Sequence, residues 1–154
     1  MTTSEAFLKA GESIKRHMVA GAAAGIVPFP WIGLAGLTGV QLNMLRHLAS
    51  IYGVDFSKEV GKSAIAALVG SDLSIGFTIS IARLVPGPTA AVGAVAGALM
   101  GAASTYALGK VFVQHFESGN TFLTFDPEKV RAHYEQLYKQ GKAEVSTNFS
   151  GIRP

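Results

Sequence analysis

Between Thr89 and Gly109 the chain carries no charged side chain, and Gly93, Gly97, Gly101, Thr105 and Gly109 recur at every fourth position. Residues four apart share one face of a helix. The run therefore predicts a helix with a nearly bare stripe, and Ala90, Ala94 and Ala98 lie beside it. A glycine inside a water-exposed helix costs about 1 kcal/mol relative to alanine. A row of such losses needs compensation, and close approach of another helix supplies it. Membrane helix pairs use this small-xxx-small arrangement, and a tightly packed water-soluble bundle is the alternative. Either way, the chain has to bury this stripe.

The rest of the composition follows the same line. Charged residues make up 15% of the 154, against about 25% in an ordinary soluble domain, and mean hydropathy is +0.34. A second uncharged stretch runs from Met18 to Leu45. It is long enough for a membrane span, which takes about 20 apolar residues, but Pro28-Phe29-Pro30 sits inside it. Two prolines so close break a helix. The prediction is two helices meeting at a corner, about Ser4–Ala24 and Trp31–Tyr52, with Ser4 as the first N-cap.

The second helix carries Leu34, Leu37, Gln41, Met44, Leu48 and Ile51 at alternating spacings of three and four, a packing seam with one polar member, Gln41. Gly53 is placed to end it. Ser57 caps a third helix predicted to run to about Val85, with a polar interruption at Ser71, Asp72 and Ser74. Pro86-Gly87-Pro88 forms a second corner, and the glycine-striped helix follows to Glu117. Asp126-Pro127 then starts a water-soluble helix, which Phe125 staples onto Val130 and Gly141 stops. The expected organisation is one helical domain over 1–142 with a tail over 143–154.

Chemistry is sparse. The absence of cysteine excludes disulfides, thiolate catalysis and thiolate metal sites. Gly61-Lys62-Ser63 lacks the first glycine of a phosphate loop, since Phe56 stands there, and it lacks the preceding strand. His17, His47, His115 and His133 fall on different segments, with no second ligand at metal spacing; those at Arg46-His47 and Gln114-His115 read as helix-end residues. Asp72 is the one acid in a long apolar region, and a charge inside a membrane is a functional candidate; a place at an interface or capping a helix restart is the favoured reading. Trp31 and Tyr52 suit either membrane-interface levels or core packing. The net charge of +3 and pI of 9.3 come from cations spread over several junctions, without the interleaved aromatics of a nucleic-acid surface. A position near anionic lipid suits them better than a nucleic acid does, and ordinary solvated helix ends account for them equally well.

Pro28-x-Pro30, Leu37 with Gln41 and Met44, Leu48 with Tyr52-Gly53, Val85-Pro86-Gly87, Thr105-Tyr106-Ala107-Leu108-Gly109 and His115-Phe116-Glu117-Ser118-Gly119 together resemble the YcjF-like family of domains of unknown function. The resemblance covers about residues 21–119. It implies membrane association and a place beside an Era-like GTPase domain, and it implies no catalytic residues. The chain departs from the family pattern at Gly33, where many relatives carry an acid.

These readings lead to an all-α bundle of about five helices: two apolar glycine-rich hairpins plus a soluble C-terminal helix. The function expected is a non-enzymatic, membrane-associated scaffold or adaptor, self-associating through Gly93, Gly97, Gly101, Thr105 and Gly109. Gln41 and Asp72 are its candidate buried polar site. A separate GTPase is a candidate partner, and no cofactor, metal or nucleic acid is expected. The charged termini are expected in the cytoplasm. The alternative is a soluble protein that buries its apolar helices in a large homo-oligomer or shell.

Overall fold

The computed structural model describes residues 1–70 and 87–150. Among them are five α-helices: α1 (Thr3–Ile26), α2 (Pro30–Tyr52), α3 (Lys58–Leu68), α4 (Pro88–Glu117) and α5 (Pro127–Ser150), with a 3-10 turn at Phe122–Thr124 before α5. No strand occurs among the described residues, and the protein is all-α.

The helix ends follow from local chemistry. The first N-cap is Thr2, not Ser4. Thr2 Oγ1 accepts from the Glu5 N–H at 3.2 Å while the Glu5 carboxylate accepts from the Thr2 N–H at 3.3 Å. This reciprocal box satisfies two orphan donors, and Ser4 has no glutamate three residues on with which to build it. Pro30 opens α2, where its missing N–H costs nothing. Gly53 ends α2 at φ 66°, a left-handed backbone that glycine adopts without strain. Ser57 Oγ accepts from the Val60 N–H and caps α3. That helix stops at Leu68; the continuation expected to Val85, including Asp72, lies outside the described residues.

At the chain's end α5 runs on to Ser150. Gly141 does not stop it. A side chain at Gly141 would strike the Tyr106 ring at 2.9 Å and the Ala103 backbone at 3.2 Å, so this glycine serves helix contact. Much of the segment expected to be a tail therefore continues the helix.

The register comes from three close approaches. Gly25 lies on Gly97, Gly21 on Gly101, and Ile14 with Met44 on Gly109. Helix α1 is thus antiparallel to α4, and α2 returns from the Pro28–Pro30 corner beside both. Helix α5 runs antiparallel to α4, with Gly141 by Ala103 and Val145 by Ala98. The apolar core sits toward the end away from that corner. It holds Met44, Leu45, Leu48, Leu68, Leu108 and Phe112, and an aromatic group of Phe112, Phe116, Phe122 and Phe125 closes it.

Candidate functional site, an uncharged end above a buried polar layer

The glycine stripe of α4 faces inward: Gly93, Gly97, Gly101, Thr105 and Gly109 are all buried. Its partner is α1 of the same chain. A Cβ on Gly101 would collide with the Gly21 carbonyl oxygen, and one on Gly25 would collide with that of Gly97. One on Gly21 would lie 2.6 Å from Thr105 Oγ1 and 2.7 Å from the Gly101 oxygen. The two backbones thus touch in the arrangement that lets Cα–H groups meet carbonyl oxygens. Because α1 fills the stripe, the stripe is not exposed to a second copy, contrary to the expectation that the protein self-associates through these residues. The missed residues were Gly21 and Gly25, whose spacing of four was visible in the sequence.

A polar layer lies between α1, α2 and α4. Gln41 is fully buried, and its Nε2 donates to Ser104 Oγ at 3.1 Å and Thr105 Oγ1 at 3.4 Å. Both hydroxyls donate on to the Gly101 carbonyl, at 3.2 and 2.7 Å. With both hydroxyl protons so used, the amide must present its NH₂ to them. Gln41 Oε1 is then left buried with no protein donor. Gln41 and Thr105 meet here; Asp72, the other polar candidate, lies outside the described residues.

His17, in the middle of α1, is buried too. Its Nδ1 lies 2.7 Å from the Ser13 carbonyl oxygen, which can only accept, so the ring proton sits on Nδ1. Its Nε2 then accepts from Asn43 Nδ2 at 3.1 Å, and the His47 ring packs edge-on at 5.3 Å. Burial holds the His17 pKa below its usual 6.5; the Ser13 bond opposes this and the nearby His47 and Arg16 charges add to it. The folded state therefore binds fewer protons than the unfolded one below pH 6.5, and stability falls as pH drops through that value toward the lower folded pKa. Between pH 7.5 and 5, His17→Gln should lose less stability than wild type in urea titrations. Equal losses would remove His17 as a source of acid sensitivity.

At the far ends of the helices, His115 Nε2 donates to the Thr121 carbonyl at 2.8 Å, and His133 pairs with Gln114 at 2.6 Å. Tyr52 is half-buried and donates to Glu117 at 2.9 Å. Burial first, and then the Glu117 carboxylate, push its phenol well above the usual range. Tyr52 therefore ties α2 to α4. No group of three or more metal-ligating side chains occurs among the described residues.

Above the polar layer the bundle changes character. No charged residue occurs from Met18 to Leu45 or from Gly87 to Gly109, and α5 has none beyond Glu144 within the helix. The described large apolar side chains at this end are unusually open: Trp31 is 75% exposed, and Val19, Phe29, Ile32, Val92 and Val95 are all more than half exposed. A groove of about 440 Å³ lined by Ile26, Ala94, Val95, Ala98, Leu99 and Val145 opens between α1, α4 and α5. Among the described helices, α4 is the one long and apolar enough to cross a membrane, although 56% of its most apolar stretch is buried in the bundle.

A family known only as a domain of unknown function, DUF697, matches residues 8–143. The chain belongs to this family. It is the YcjF-like family that the ordered motifs resemble. The chain is also similar to magnetosome membrane protein 22 of Magnetospirillum gryphiswaldense, with 36% identity over 140 residues, covering 88% of this chain and 72% of that protein. No solved structure matches.

Proposed function

We propose that this DUF697 protein is a non-catalytic, membrane-associated scaffold or adaptor that seats the Pro28–Pro30 end of its bundle in lipid. The observation that carries this reading is the run of exposed apolar side chains Phe29, Trp31, Ile32, Val92 and Val95 on an end whose described residues carry no charge. Monomeric soluble proteins rarely expose a contiguous apolar patch of more than a few hundred Å². The similarity to a protein named for the magnetosome membrane supports the reading. The charged end, where α1 and α5 begin, lies on the aqueous, cytoplasmic side and is the surface a GTPase partner would meet, whereas α5 ends at Ser150 toward the apolar end. Since α1 fills the glycine stripe, self-association uses other faces, and the protruding first turns of α4 are the apolar surface available.

Vesicle flotation tests this directly. The wild-type chain should float with lipid vesicles, and Trp31, the single tryptophan, should shift its emission to shorter wavelength. Ile32→Asp places a carboxylate in the seated end and should weaken binding about a hundredfold, from the cost of an aspartate in a membrane interior. A wild-type protein that stays out of the lipid fraction, as a monomer or as large soluble particles, would overturn the proposal.

A further inference from the structure

Five described cations, one or two from each of four helices, stand near one level of the bundle. Ile14, Met44 and Gly109 meet in a single layer across α1, α2 and α4. Arg16, Arg46 and Lys110 are each one or two residues from it, which at 1.5 Å per residue places them within about 3 Å of the same height. Lys15 is on this level as well. Lys62 joins it from α3, since its neighbour Gly61 faces Leu42 and Leu45. Three helices thus run uncharged until this height and then place a cation there.

These cations are available. Lys15, Arg16, Arg46 and Lys62 are exposed, and the ion pairs among the described residues, Lys129–Asp126 and Arg131–Glu128, are at the start of α5. Lys110 holds its nitrogen 5.6 Å from the centres of both the Phe7 and Tyr106 rings. Among the described residues the acids near this level are Glu12 and Glu59, each about one turn from Arg16 and Lys62 respectively, and Glu144, which accepts from the Tyr106 hydroxyl at 3.4 Å. The belt is therefore net positive.

From this geometry we infer that the docking surface is matched to an anionic leaflet, with the uncharged end in the acyl region and the Arg16–Arg46–Lys110 belt at the headgroup phosphates. This rests on the membrane reading above and adds the lipid class and the depth. Ten residues separate Arg16 from Ile26 and sixteen separate Arg46 from Pro30, about 15 and 24 Å of helix. Both are shorter than a hydrocarbon core of about 30 Å. The α1–α2 hairpin therefore enters without crossing, while the first turns of α4 reach deeper. Cations near an anionic surface gain from its negative potential, and salt screens that gain.

The test uses the full chain, Trp31 emission, and vesicles of phosphatidylcholine alone or mixed with phosphatidylglycerol. Wild type should bind the mixed vesicles more tightly, and added salt should erase the difference. Arg16→Gln with Arg46→Gln should weaken binding to mixed vesicles about thirtyfold, with little change on phosphatidylcholine. The Arg16→Lys, Arg46→Lys pair should retain binding, and helical circular dichroism should be the same for all. Quenchers placed deep in the acyl chains should dim Trp31 more than shallow ones. Equal wild-type binding to the two vesicles, or an unaffected glutamine pair on mixed vesicles, would overturn this inference and leave membrane association standing. No binding to either would overturn both.

Discussion

Gly101→Val should separate α1 from α4 and destabilise the protein by about 3 kcal/mol or more, the upper range for overpacking, because what it strikes is backbone. The Cβ of residue 101 would fall on the Gly21 carbonyl oxygen. A side chain could rotate away from such a clash, but a carbonyl locked in a helix cannot. Relief requires the helices to move apart, which opens the Gly25–Gly97 contact and stretches the Gln41–Thr105 bond on the same stripe. Gly11→Ala, on α1 itself, should do the reverse and stabilise by up to about 1 kcal/mol, because a Cβ there meets nothing within 4 Å and alanine is the better helix former. Urea midpoints of the two variants decide it. If Gly101→Val is as stable as wild type, then α1 and α4 are not held in this contact.

Phe112→Ala should cost about 3–5 kcal/mol, the range for emptying a buried aromatic site. Phe112 is fully buried. It stacks on Phe125 with centroids 4.3 Å apart and lies 5.3 Å from Phe122 and 5.6 Å from Phe116. Those partners come from α4, the 3-10 turn and the start of the α5 segment, so the cavity would loosen the junction that docks α5. Leu123, next to Phe122 but 88% exposed, is the control: Leu123→Ala should change stability by no more than about 0.5 kcal/mol. Thermal unfolding of both variants measures the contrast. Equal midpoints would mean the aromatic group does not hold the two segments together.

Local patterns were legible where local physics decides. The α1–α2 corner followed from two prolines, the end of α2 from Gly53, and the start of α5 from Asp126-Pro127, whose Asp126 carboxylate accepts from the Glu128 N–H at 3.1 Å. Each is settled within a few residues. The errors arose where a glycine or a serine had two uses. Gly141 reads as a stop signal, yet Tyr106 and Ala103 come so close that only glycine fits there. Ser4 reads as a cap, yet the Thr2–Glu5 box satisfies more donors.

The glycine stripe of α4 shows where sequence ends and tertiary structure begins. By itself the sequence determined that the stripe had to be buried, because five small residues on one helix face lose stability in water unless another backbone approaches them. It also placed no charged residue on that helix between Thr89 and Gly109. Which backbone approaches was decided only in three dimensions. Helix α1 carries Gly21 and Gly25 at matching height, and the corner at Pro28–Pro30 folds α2 against both. The same register that closes this contact brings Arg16, Arg46 and Lys110, far apart in the chain, to one level. Period and spacing fix a residue's face on its own helix, whereas height relative to another helix depends on which side chains, or which missing ones, let the two backbones meet.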